Sequence, residues 1–226
     1  MFEALSAFWA EYGTILLQGT RDTLIMTVVA TIFAYILGVP IGVFLVITQP
    51  HGIWPNKVVN RVLGWIVNIG RSLPFIILMI LVMGFTKFLV GTKLGVRGAT
   101  PPLVISAAPF IARMVETSLM EVDAGVIEAA QSMGASVPQI VRKVYLPEAK
   151  PSLILGGSIS TITILAYTAM AGAIGAGGLG DLAIRYGYQR GVDSMLWATV
   201  ILIIILVQII QSVFSLLSTK TDKRLR

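Results

Sequence analysis

Charge is confined to short parts of this chain. Residues 23–50, 151–180 and 194–219 contain no Asp, Glu, Lys or Arg. About 20 apolar residues in a helix cross the hydrocarbon core of a bilayer, so each stretch is long enough to span one. Only 12% of the residues are charged and 56% are hydrophobic. That charge fraction is about half of what soluble domains carry. A length of 226 residues alone would allow one or two soluble domains, and the distribution of charge excludes them.

Two further apolar stretches are interrupted. One covers residues 58–86 and contains Arg71; the other covers 102–120, with Arg113 and Glu116 near its end. The expectation is an all-α membrane protein of five transmembrane helices at 23–48, 58–86, 102–120, 151–173 and 194–217, forming one domain over residues 1–226. The start of the chain carries Glu3 and Glu11 in place of a positive n-region, which argues against a signal peptide. Residues 1–20 read as a short interfacial or extracytoplasmic segment. Gly38, Pro40 and Gly42 predict a weakened or kinked first helix, because proline removes a donor and crowds the preceding turn. The fourth span is rich in Gly, Ala, Ser and Thr, the residues that let membrane helices approach closely, whereas the fifth is apolar all round.

Several chemistries are excluded. There is no cysteine, hence no disulfide or thiolate nucleophile. His51 is the only histidine, in the turn-rich TQPHGIWPN, and makes neither a metal site nor a catalytic triad. Gly175, Gly177 and Gly180 spell G-x-G-x-x-G, but they end a membrane helix where a dinucleotide fold needs a strand. No phosphate-binding lysine loop is present, so if the chain moves anything uphill, the energy comes from elsewhere. The net charge of +6 reflects cations flanking the spans rather than nucleic-acid binding. With the N-terminus outside, ten Lys and Arg fall on the inner side and six on the outer, with Arg71 left in a span. The positive-inside rule favours that orientation, with the C-terminus in the cytoplasm. Arg71, embedded in a span, is a candidate pathway residue; a structural ion pair or snorkelling to an interface is the alternative.

Between the third and fourth spans lies the polar cassette EAAQSMGASVPQIVRKVYLPEA, placed by this orientation in the cytoplasm. Asp123 is positioned to cap a short helix that stops at Gly134. Ser136 and Gln139 form an S-x-x-Q capping box for a second helix, which Pro147 should end near Leu146. The Glu-Ala-Ala surface suits close docking against another protein better than a membrane surface.

Glu128-Ala129-Ala130, Gly134 and Leu146-Pro147 resemble the EAA loop of ABC-importer permeases, E-A-A-x3-G-x9-I-x-L-P, with Val144 in place of Ile. The resemblance implies a type I importer permease fold with cytoplasmic coupling helices at 123–147. It implies that Glu128, Ala129, Ala130 and Gly134 belong to a surface docking on a separate ATPase, with Pro147 setting the return of the chain. It also implies a homodimer over two ATPase subunits, an extracytoplasmic binding protein, and ATP and Mg on the partner rather than any cofactor here. That is a transport subunit of a bacterial cytoplasmic membrane, not an enzyme. The stretches VNIGRSLPFIILM, AAPFIARMVE and YTAMAGAIGAGGLGDLAIRYGYQR are similar to the methionine permeases of this family; the glycine betaine and choline permeases are the alternative. Tyr167 and Met170 are candidates for lining a narrow gate where two copies meet, against ordinary packing.

Overall fold

The computed structural model describes residues 2–221, and for residues 2–5 the backbone alone. The basic residues Lys223, Arg224 and Arg226, which contribute to the inner-side charge, lie outside the described residues. Every regular element among the described residues is helical. Helix α1 runs Phe2–Ile47, α2 Lys57–Ser72, α3 Phe75–Leu81, α4 Met83–Val90 and α5 Gly95–Met120. Then come α6 Ala124–Ser132, α7 Val137–Ile140, a π turn Val141–Tyr145 and α8 Leu146–Glu148. The chain closes with α9 Lys150–Gly172, α10 Gly178–Leu182, a second π turn Ala183–Tyr188 and α11 Asp193–Thr221. Four helices are long and apolar enough to cross a membrane. Helix α2 with α3, bent by 105° at their junction, passes the same test as a pair, either as a broken fifth span or as a re-entrant loop. The break is at Leu73 and Pro74, both in extended backbone. Proline pushes the residue before it out of the helical region, which accounts for the position.

The first helix extends further than expected. It holds 46 residues, or roughly 69 Å at about 1.5 Å per residue. The N-terminal segment, expected to be separate from the first span, is thus continuous with it: nothing before Pro40 breaks the helix. The helix continues on both sides of Pro40. Gly38 and Gly42 also serve close packing. A Cβ at Gly38 would lie 2.7 Å from Ile111 Cγ2, and one at Gly42 2.6 Å from the Ala112 carbonyl. Two glycines four apart form one bare stripe, the small-residue face by which membrane helices meet.

The chain divides into two compact units. One comprises residues up to Ile32, Pro74–Val104 and Thr161–Ile210. Its core is Leu16, Leu179, Leu182 and Met195. The glycine-rich stretch belongs to it: a Cβ at Gly180 would fall 2.3 Å from the Ala169 carbonyl, so α10 lies bare against α9. Thr23 fixes the start of α10 by accepting the Leu179 N–H at 2.9 Å. The RYGYQR stretch forms the second π turn and its exit. There Arg190 lies 4.4 Å from the centre of the Tyr186 ring, Tyr12 meets that ring edge-on, and Arg185 pairs with Asp181 at 2.7 Å.

The other unit comprises Phe33–Leu73, Ile105–Ser160 and the chain from Gln211 onward. Leu45, Val67 and Ala112 form one of its cores. The Tyr35 and Ser160 hydroxyls share a hydrogen bond of 2.9 Å, and Ser152 donates to Ser118 at 3.0 Å.

Candidate functional site: a helical hairpin and an aromatic stack

The cassette folds as two short helical segments joined by a tight turn. Asp123 Oδ1 accepts the Gly125 N–H at 2.7 Å and opens α6. At the other end Gly134 has φ +76°, the left-handed region that side chains avoid. Its N–H bonds the Gln131 carbonyl at 2.9 Å, and the next N–H, of Ala135, reaches the Ala130 carbonyl at 3.1 Å. These two bonds are the Schellman termination, which satisfies carbonyls that a helix end leaves open. Gly134 therefore reverses the chain between the two segments. Gln139 Oε1 accepts the Ser136 N–H at 2.8 Å and the Ser136 hydroxyl at 3.0 Å, which starts α7.

The second segment does not end where Pro147 was expected to end it. It continues through the π turn into α8, as far as Glu148. The Leu146 N–H reaches back five residues to the Val141 carbonyl, and the Ala149 N–H bonds the Tyr145 carbonyl at 3.0 Å. Widening the turn by one residue lets the helix pass a proline that has no N–H to give. Tyr145 is buried beneath this turn, and burial pushes its phenol above the usual range, so it stays neutral.

The hairpin presents Glu128 and Ala129 to solvent, beside Val126 and an 81% exposed Met133. Ala130 is the buried member of the motif at 6% exposure. Pro147 is exposed. The candidate coupling residues thus have different placements: Glu128 and Ala129 form surface, while Ala130 and Gly134 shape the backbone that carries it.

The gate candidates separate likewise. Tyr167 and Met170 lie three residues apart on α9 and share a face. Tyr167 stacks flat on Phe75, with ring centres 4.8 Å apart and planes 2° from parallel, and Met170 is 45% exposed. Phe75 is the first residue of α3, directly after the Leu73–Pro74 break. Arg71 lies in the last turn of α2, in the other unit, and is exposed. It takes part in neither ion pair found among the described residues.

Two features escaped the sequence. Phe75 carries no periodic signal that sets it apart from the apolar run around it. Arg113 donates to Glu116 at 2.6 Å and to Asn68 at 2.8 Å, tying α5 to α2. Glu116 is 8% exposed. A cation and an anion three apart within one apolar stretch were the available sign.

A model of the family described as binding-protein-dependent transport system inner membrane component matches residues 38–226. The chain belongs to that family: it is a multi-pass transport subunit of a membrane, not an enzyme. It is 46% identical, over 99% of both chains, to a Vibrio cholerae protein named "Probable D-methionine transport system permease protein MetI". It is 51% identical to the Bacillus subtilis methionine import system permease protein MetP, over 80% of this chain and 81% of that one. Among solved structures, a chain of the MetNI methionine ABC transporter in an inward-facing conformation superposes with TM-score 0.93 at 43% identity, covering 94% of this chain and 99% of that chain. The fold is the all-helical fold of type I ABC-importer permeases.

Proposed function

We propose that the chain is the permease subunit of an ATP-driven importer of L- and D-methionine. The observation that carries this is similarity along 99% of both chains to a permease named for D-methionine transport. Two copies form the membrane part, acting as one domain each over residues 1–226, above two ATPase subunits that bind ATP and Mg. An extracytoplasmic methionine-binding protein delivers the solute. The chain resides in the bacterial cytoplasmic membrane with its N-terminus outside and its C-terminus inside, as the inner-side excess of Lys and Arg supports. Glu128, Ala129, Ala130, Gly134 and Pro147 form the coupling hairpin. Closure of the ATPases moves it and alternates access to the path. Tyr167 and Met170 narrow the path, with Tyr167 braced by Phe75, and Arg71 lies along it.

The alternative of an osmoprotectant permease is not favoured, because the relatives above are named for methionine. The test is ATP-dependent uptake of labelled methionine in proteoliposomes holding this chain, its ATPase and its binding protein, with excess unlabelled glycine betaine. Uptake indifferent to betaine is expected. An assembly that hydrolyses ATP but imports no methionine contradicts the proposal.

A further inference from the structure

Helix α2 is divided lengthwise into three sides. Residues advance about 100° each around an α-helix. Val59, Leu63, Val67 and Gly70 fall together, and this is the packed side. Val67 is buried with Leu45 and Ala112, Leu63 lies against them, and a Cβ at Gly70 would meet Pro109 at 2.6 Å. Val58, Val62, Trp65, Ile66 and Ile69 make a second side, apolar and exposed. Lys57, Arg61, Gly64, Asn68 and Arg71 recur at alternating steps of four and three and occupy the third. The four with side chains are exposed, and nothing lies within 4 Å of where a Cβ at Gly64 would be. The two ion pairs found among the described residues are Arg113–Glu116 and Arg185–Asp181, so no carboxylate neutralises this side. Arg113 reaches this side through Asn68 but is paired with Glu116, so it adds no net charge to it.

Lys57 and Arg61 lie toward the inner end of α2 and Arg71 sits ten residues beyond Arg61; an unpaired cation at that depth is expensive against hydrocarbon, and the adjoining exposed apolar side already provides a lipid-facing surface. Dry self-contact with a second copy fails as well, since a two-fold axis passing along this side would set it against its own image, cation to cation. Water is the remaining neighbour.

We propose that the cationic side of α2 lines the aqueous path of the solute, and that Arg71 and Arg61 receive the carboxylate of an α-amino acid passing along it. This rests on the importer reading above. A guanidinium fork matches a carboxylate at two points. Arg71 and Arg61 are ten residues, roughly 15 Å, apart along the axis, so the carboxylate is passed on between separate contacts. The same row repels inorganic cations, which keeps an open path from leaking them.

The chain has no cysteine, so single thiols report accessibility directly. Lys57→Cys, Gly64→Cys and Arg71→Cys are compared with Val58→Cys, Val62→Cys and Ile69→Cys in the complete transporter with cysteine-free partners. Anionic and cationic methanethiosulfonates are used, and adducts are read by the mass of this chain. The first set should react at least about tenfold faster than the second, and Gly64→Cys should favour the anionic reagent about tenfold, a preference that collapses in Arg61→Gln/Arg71→Gln. Equal rates for the two sets, an unreactive first set, or no charge preference overturns the proposal. For the carboxylate contact, Arg71→Gln should lower methionine imported per ATP about tenfold, with Arg71→Lys in between. Wild-type yield in Arg71→Gln overturns that part. The labelling pattern does not depend on the solute, so failure of methionine import in the unsubstituted transporter counts against the importer reading alone.

Discussion

At the scale of single residues, glycines with the same name have opposite consequences. Gly134 holds a left-handed φ, and nothing lies within 4 Å of where a Cβ would stand, so its role is conformational. Gly134→Ala should cost about 1–2 kcal/mol locally and loosen the turn of the hairpin. Amide exchange at Ala135 should rise, with Gly134→Asn milder than Gly134→Ala. Gly180 is a matter of space, since the atom in the way is the Ala169 carbonyl, which is backbone and cannot move aside. Gly180→Ala should lower thermal stability by about 1–3 kcal/mol, while Gly84→Ala, in α4 with open space around it, should be neutral or gain up to about 1 kcal/mol. Scanning calorimetry of the purified transporter separates the pair. Arg113 and Glu116 call for a cycle. Losing Arg113 leaves a buried carboxylate without its partner, so Arg113→Ala should be destabilising by about 3 kcal/mol. Arg113→Ala/Glu116→Gln should recover part of that, and strict additivity of the two single changes contradicts a coupled pair. The Gly134 turn was legible because a helix stop has a local chemistry. The Arg113–Glu116–Asn68 link was not, because it joins residues 45 apart in sequence.

At the scale of elements, helix existence was legible and helix continuity was not. Charge-free length predicts spans, but it says nothing about whether the polar N-terminal segment continues one. The first helix absorbs Glu11, Arg21 and Asp22 without a break because no proline precedes them. Pro40 and Pro147 both lie within helix, against the usual expectation. At Pro147 the reason is visible in the π turn. Pro147→Ala restores an N–H and removes the need for the wide turn, so the segment beyond it should rotate by about 100° relative to the hairpin. The expected result is fewer methionine molecules imported per ATP hydrolysed, with thermal stability retained. An unchanged ratio would show that the π turn does not set the hairpin's aim. The three-sided character of α2 was present in its sequence, but its meaning needed the packed side to be identified first.

At the scale of the whole molecule, the charge-free spans and the polar hairpin were legible from local rules of hydropathy and helix capping, whereas the reading as a transport subunit came from the resemblance of the EAA loop. Partner chains and solute were legible only through resemblance, since what a permease carries is decided by a path formed between chains. The central claim is that solute movement is driven through the hairpin by a separate ATPase. Its most direct test is methionine uptake in proteoliposomes of the complete transporter, with and without ATP, comparing the wild type with Ala129→Arg, which places a bulky cation on the exposed hairpin surface. Uptake should require ATP and be lost in Ala129→Arg while the variant still inserts in the membrane. ATP-independent flux, or full ATP-driven uptake in Ala129→Arg, would contradict it.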